Sequence, residues 1–273
     1  MLDSKLGRAW RFVGTAVGFG LFGLGGLICG IVVFPLIRIT VPGVDRRRRL
    51  SRWLVGHLFA LFIRVMALLG VMRYEVTWEN EVPRKRGYLI AANHPSLIDV
   101  VFLISLFPDA DCIVKASLWS NPFMALTLRA ADYISNRSPI EALQSCISRL
   151  QSGRSLILFP EGTRSVPGMP LRFRAGAAAV AVRAGQPILP VIISCEPSTL
   201  TKGEHWASIP PKQVRFHLRV LSPVDLPPEI KKCPNHREAT SRANAFMLAL
   251  FKAELGEEMQ EKTHASGHYV VQR

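Results

Sequence analysis

From Phe12 to Ile37 the chain runs for 26 residues without a charged side chain, bounded by Arg11 and Arg38. A helix of that length reaches ~39 Å, against a bilayer hydrocarbon core of ~30 Å. The run is long enough to span. A secretory signal peptide would carry an apolar region of only ~7–15 residues and then a small-x-small cleavage site, which Ile37-Arg38-Ile39-Thr40 does not offer. Retention as a membrane segment is therefore expected. Gly14, Gly18, Gly20, Gly23, Gly25, Gly26 and Gly30 would weaken a helix in water, yet in lipid they allow backbones to approach closely. Pro35 can kink the end, so a re-entrant hairpin stands beside a span as an alternative. The formal G-x-G-x-x-G from Gly18 to Gly23 lies inside this run, with no strand before it and no water-facing helix N-terminus after it. It is not read as a dinucleotide site.

The 273 residues hold 34 Lys and Arg against 20 Asp and Glu, a net charge of +14. An acidic or disordered chain is excluded by that balance together with 49% hydrophobic residues. Residues 1–52 contain nine Lys or Arg and two Asp, so +7 lies in the first fifth. Arg46 to Arg49 form a basic run between two long apolar stretches, without any recognised nucleic-acid module. Anionic headgroups are the simpler partner, nucleic acid is not expected, and the positive-inside rule puts the following domain in the cytoplasm, at the inner membrane in a bacterium. Leu54, Leu58, Leu61, Phe62, Val65, Leu68, Leu69 and Met72 recur at helical spacing, which suits an interfacial helix or a core helix equally. Residues 1–75 thus read as a membrane-anchoring segment: a spanning or re-entrant helix 12–37, a basic linker 38–52 and an interfacial helix 53–72. Five scattered cysteines with no C-x-x-C pair argue against a disulfide framework and a cysteine zinc site, and for a reducing compartment.

Residues 76–255 are enough for one domain with a substantial core, followed by a polar tail, 256–273, expected to be disordered. Tyr88 to Ala92 reads as a short buried strand and Leu97 to Phe107 as a helix, with Pro95 suited to its first position. Between them stands Asn93-His94-Pro95-Ser96-Leu97-Ile98-Asp99. A histidine on a strand-to-helix turn with a carboxylate five positions later has the makings of a general base and its orienting acid. A helix-capping histidine beside an unrelated aspartate fits the same spacing. After a second apolar strand, Ser155 to Phe159, come Pro160-Glu161-Gly162-Thr163-Arg164-Ser165. Here Gly162 permits close backbone approach, Thr163 offers a hydroxyl and Arg164 a planar fork matched to phosphate oxygens.

Asn93-His94 with Asp99, followed by Phe159-Pro160-Glu161-Gly162-Thr163-Arg164, closely resembles the glycerolipid acyltransferase family, which includes the 1-acylglycerol-3-phosphate acyltransferases. Ile188-Leu189-Pro190-Val191 is similar to the family's last block, so the likeness covers roughly residues 75–225. The resemblance implies an α/β domain, a central mixed sheet flanked by helices, preceded here by N-terminal membrane helices. It implies that His94, held by Asp99, deprotonates an acceptor hydroxyl that attacks an acyl thioester directly. Glu161, Gly162, Thr163 and Arg164 would contact the acceptor, with Arg164 on its phosphate. Lys115 falls where the family often carries a second basic contact, and Arg137 ends a middle block that usually reads Gly-x-x-Phe-x-x-Arg. In this chain Ala131 and Tyr133 replace that glycine and phenylalanine.

No G-x-S-x-G elbow is present, and no cysteine lies beside either motif, which agrees with transfer that forms no acyl-enzyme. The implied reaction moves a fatty acyl group from acyl-CoA or acyl carrier protein to a lysophospholipid, with no cofactor and no metal. The altered middle block motivates an alternative acceptor, such as an ornithine-type or polyene lipid. A non-catalytic membrane-surface lipid-binding protein is the reading from another class.

Overall fold

The computed structural model describes residues 4–83 and 87–267, of which 257–267 as backbone only. Its first element is a nearly continuous helix from Lys5 to Thr40, built of α1 (Lys5–Ile28), a π-helical turn (Cys29–Val33) and α2 (Phe34–Thr40). The π turn sits immediately before Pro35, which has no N–H to give, and a wider turn absorbs the break without ending the helix. After Val41-Pro42-Gly43 the chain reverses into α3 (Val44–Leu68). Lys5–Thr40 and Val44–Leu68 are each long and apolar enough to cross a membrane.

The basic linker expected over 38–52 is helix at both ends: Arg38 lies in α2 and Arg46 to Arg52 in α3. Arginine is a strong helix former, and Asp45 in the first turn pairs with Arg48 at 2.8 Å. Similarly, the helix expected over 53–72 stops at Leu68, and Met72 already opens the first strand, so the sheet begins before residue 76. The glycines sort by face. A Cβ at Gly18 would stand 2.3 Å from Met66 Sδ of α3, and one at Gly26 would stand 2.6 Å from the Phe123 carbonyl oxygen. Only a residue without a side chain lets these backbones come so near. The opposite face of α1 and α2 exposes Leu6, Val17, Leu24, Ile31 and Ile39, among others.

The domain is one seven-stranded sheet: β1 (Met72–Trp78), β2 (Leu89–Ala92), β3 (Asp111–Val114), β4 (Ile134–Ser135), β5 (Leu156–Leu158), β6 (Ile188–Glu196) and β7 (Val214–Val220). Their spatial order is β1-β7-β6-β2-β5-β3-β4, and every neighbouring pair is parallel except β6 with β7. Between the strands run α4 (Asp99–Leu106), α5 (Ala125–Ala130), α6 (Pro139–Gln151) and α7 (Ala175–Ala184), followed by α8 (Pro228–Lys231) and α9 (His236–Gly267). Alternation along the strands divides the core in two. Ile90, Ala92, Ile157, Val191 and Ile193 pack toward the face covered by α3 and α4, while Leu89, Ala91, Leu156, Leu158 and Ile192 pack toward α6, α7 and α9. A sheet covered on both faces needs strands apolar at every position, and β2 and β5 are buried throughout.

Ser138 Oγ caps α6 by accepting from the Glu141 N–H, and Gly153 follows it at φ +82°. α4 starts at Asp99 instead of near Leu97, leaving Pro95 to Ile98 as a turn. His217 on β7 lies 3.2 Å from Thr77 Oγ1. The tail expected to be disordered from 256 is helical as far as Gly267, continuing α9; residues 268–273 lie outside the described ones.

A buried ionic cluster joins the helical hairpin to the domain. Arg52 of α3, 2% exposed, donates to Asp111 Oδ1 at 2.5 Å and to the backbone carbonyls of Ala131, Asp109 and Asp132. Asp111, fully buried at the start of β3, also pairs with Arg149 and Arg154. The Arg52 guanidinium lies 5.5 Å over the Tyr133 ring. This cluster stands at the amino edge of the sheet, opposite the functional motifs, so it fixes the hairpin without entering the chemistry.

Candidate active site

Because β2, β3, β4, β5 and β6 run parallel, their carboxyl ends open on one edge, where ligands bind in open α/β sheets. All the motif residues emerge there. Asn93-His94 follows β2, Lys115 follows β3, Asn136-Arg137 follows β4 and Pro160 to Ser165 follow β5. At ~4.8 Å between neighbouring strands, β3 stands ~10 Å and β4 ~14 Å along the edge from β2. A sheet edge thus gathers residues as far apart in sequence as Asn93 and Ser165.

His94 Nδ1 lies 2.9 Å from Asp99 Oδ2, with the side chains 16% and 0% exposed. The same carboxylate oxygen accepts the Ser96 N–H at 2.7 Å. Nδ1 therefore carries the proton it gives to Asp99, and Nε2 is left as the basic nitrogen. Phe159 stacks on the imidazole at 3.9 Å between centroids and 16° between planes, fixing the ring's rotation. Burial pushes the Asp99 carboxyl above the usual range, and the His94 ring and the Ser96 N–H pull it back. The arrangement is the one a base and its orienting acid require, and the aspartate is bound to the histidine ring instead of being an unrelated neighbour.

Glu161 is 8% exposed and turned inward. Its Oε1 accepts the His94 N–H at 2.8 Å, and both carboxylate oxygens accept from Ser165 Oγ at 2.8 Å. Ser165 N–H donates in turn to the His94 carbonyl at 2.7 Å. The turns after β2 and β5 are thereby stitched together on both sides of His94. The resemblance implies that Glu161 contacts the acceptor; the geometry puts its carboxylate on the backbone of the base. Burial raises its pKa, against the two hydrogen bonds that lower it. Gly162 takes φ +66°, and a Cβ there would meet Arg174 Cδ at 2.8 Å.

Arg164 Nη1 donates to the carbonyls of Leu200 and Thr201 at 2.8 and 2.9 Å. Leu97 N–H shares the Leu200 carbonyl, and Leu200 adopts φ +54°. Much of Arg164 thus secures a second segment against the base. Thr163 is half-buried beside it. Lys115 and Arg137 are exposed, and their loops are tied by the Ala116 N–H donating to Asn136 Oδ1 at 2.8 Å. Neither cation has a side-chain partner among the described residues. Asn93 does structural work: its side chain pairs with both the N–H and the carbonyl of Ile193, at 2.8 and 2.7 Å, prolonging the β2–β6 ladder.

Ser165, Leu200 and the paired use of Asn93 escaped the sequence reading. A serine one place beyond a recognised motif carried a signal only through its position. Leu200 carried none, because nothing about a leucine announces a left-handed conformation.

Residues 73–194 match the family described as Acyltransferase. The chain is 27% identical over 198 residues to a 1-acyl-sn-glycerol-3-phosphate acyltransferase of Chlamydomonas reinhardtii, covering 68% of this chain and 58% of that one. It is 31% identical over 161 residues to the 1-acyl-sn-glycerol-3-phosphate acyltransferase of Pseudomonas aeruginosa, covering 57% and 60%. The chain therefore spans about three fifths of the length of these relatives. The crystal structure of the 1-acyl-sn-glycerophosphate (LPA) acyltransferase of Thermotoga maritima superposes with a TM-score of 0.66 at 21% identity, over 91% of this chain and 98% of that one, and shows the same fold. Over its matched domain, and with the His94–Asp99 pair and the Glu161–Arg164 turn at one sheet edge, the chain is similar to the glycerolipid acyltransferases.

Proposed function

We propose that this chain is a membrane-associated O-acyltransferase that moves an acyl group from a thioester donor to the free hydroxyl of 1-acylglycerol 3-phosphate. The observation that carries the reading is the His94–Asp99 pair clamped through Glu161 and Ser165. In the transfer, His94 Nε2 takes the acceptor's hydroxyl proton while the oxygen attacks the thioester carbonyl. The C–O bond forms, the C–S bond breaks, and the departing sulfur receives the proton from the imidazolium. Asp99 stabilises that imidazolium without itself leaving its hydrogen bonds.

Direct transfer is supported by the state of the cysteine nearest the site. Cys195 is buried and its thiol is pushed up to about 12 by burial, so it stays protonated and donates to the Pro197 carbonyl instead of acting as a nucleophile. Lys115 and Arg137, adjacent and unpaired among the described residues, suit the acceptor's phosphate. Ala131 and Tyr133, the departures from the family's middle block, are 0% and 4% exposed. They face the core, so they give no support for a phosphate-free acceptor. The two apolar helices suit an enzyme whose acceptor and product reside in a bilayer.

The test is transfer by purified protein in detergent, with lysophosphatidate and acyl-CoA or acyl carrier protein and products read by mass. Phosphatidate formed by the wild type and lost in His94→Ala is the expected result. Product only on phosphate-free acceptors would replace the acceptor, and no product on any acceptor would leave a lipid-binding protein.

A further inference from the structure

A groove of about 770 Å³ opens beside the catalytic turns, with Asn93 and Glu161 at its inner end and Ser194 to Glu196 of β6 along one wall. Its other wall is the segment from Thr163 to Arg174, which contributes Arg164, Arg172 and Arg174. Phe173 turns inward from that segment and packs its ring on Phe251 of α9, at 5.2 Å and 75°. In extended chain, successive side chains point to opposite sides. Anchoring Phe173 in the core therefore sends Arg172 and Arg174 outward together, and both are exposed. The Arg174 N–H donates to the Pro160 carbonyl at 2.8 Å and its stem lies over Gly162, so this guanidinium is carried on the catalytic turn itself.

Neither Arg172 nor Arg174 has a side-chain partner among the described residues. Two carboxylates line the groove. Glu161 is committed to His94 and Ser165, and Glu196, at the last residue of β6, has interactions of its own. Neighbouring guanidinium groups without an acid repel each other, and an anion placed between them removes that cost.

Direct transfer requires donor and acceptor to be bound at once, and both carry phosphate. Lys115 and Arg137 follow β3 and β4, beyond β5 from His94, whereas the groove lies toward β6 on the other side of β2. One phosphate site cannot serve two substrates. Resting on the acyl-transfer reading above, we infer that this groove receives the phosphate-bearing arm of the acyl donor, with Arg172 and Arg174 on its phosphates. The shared chemistry is that of a phosphopantetheine thioester, whether carried on CoA or on a carrier protein. Apolar walls from Pro167, Pro170 and Leu171 suit the pantetheine chain between phosphate and sulfur.

The experiment compares wild type with Arg172→Met/Arg174→Met, a change that keeps the stem over Gly162 and removes the charge. Calorimetry in detergent measures binding of CoA and of holo carrier protein. Kinetics then use acyl-CoA, acyl carrier protein and an acyl N-acetylcysteamine thioester, which lacks every phosphate. The expected loss is about 10–100-fold in affinity and in donor KM for at least one phosphate-bearing donor. The short thioester and the lysophosphatidate KM should change less than about twofold, a separation that a merely structural role would not produce. Loss on CoA alone assigns the nucleotide donor, and loss on the carrier protein alone assigns the protein. Equal binding of both probes by wild type and variant, or by neither, overturns the inference, as does a rise confined to the acceptor KM. Charge-dependent binding without turnover in the wild type would uphold the groove and overturn the acyl-transfer reading instead.

Discussion

Replacing Glu161 separates two roles that one motif residue can play. Its carboxylate holds the His94 N–H at 2.8 Å and Ser165 Oγ at 2.8 Å, from a site only 8% exposed. Glu161→Ala orphans both groups, at about 1–3 kcal/mol each, partly offset because a carboxylate whose pKa burial has raised no longer has to be kept there. The net loss of stability should be about 1–3 kcal/mol. With the backbone on both sides of His94 released, Nε2 moves off its line of attack, and a displacement near 1 Å costs about 10²-fold in turnover. Glu161→Gln keeps a carbonyl for the His94 N–H and turns an amide toward Ser165 Oγ, which can accept. It should recover turnover to within about tenfold of wild type, since a neutral acceptor is roughly half as strong as a charged one. Steady-state kinetics with both substrates varied give the answer: kcat falls and the acceptor KM stays within about twofold. A rise in acceptor KM at unchanged kcat would refute the positioning role and return Glu161 to the acceptor. Equal damage from Gln and Ala would show that charge, not position, is what His94 needs.

His94→Ala should lower turnover by about 10²–10⁴-fold while leaving thermal unfolding nearly unchanged, since the ring is partly exposed on a turn; near-normal turnover would sink the base assignment. Asp99 has a raised pKa in the folded chain, so its contribution to stability is full below about pH 4, the unfolded value, and is lost as pH rises through the folded value. The Tm of Asp99→Asn minus that of wild type should therefore increase from acid to neutral pH, and a flat or falling difference would contradict the buried-carboxylate account. Asp111→Ala leaves Arg52, Arg149 and Arg154 without their acid and should cost about 3–5 kcal/mol in urea unfolding in detergent, with any loss of activity following loss of fold; a loss under about 1 kcal/mol would mean that the backbone carbonyls alone hold Arg52. Membranes washed with high salt and then carbonate should retain the chain through Lys5–Thr40 and Val44–Leu68, and release by salt alone would show that the arginines, not the apolar faces, bind it.

Local physics made much of this protein legible in its sequence. The uncharged run from Phe12 to Ile37 read as one long helix, and the fully apolar runs at Leu89 and Leu156 announced buried strands. His94 and Asp99 were legible together because five residues across one turn already restrict their separation. What long-range pairing decided was out of reach. The order β6-β2-β5-β3 brings Glu161 under the His94 backbone, and nothing within either motif specifies which strand lies beside which. The same pairing turned Arg164 onto the Leu200 carbonyl, and drew Arg52 out of a basic run to meet Asp111, 59 residues away. A guanidinium bears the same charge whether it faces a headgroup, a carbonyl or a buried aspartate. Its sequence fixes that charge, and only the packed tertiary structure decides which partner it desolvates against.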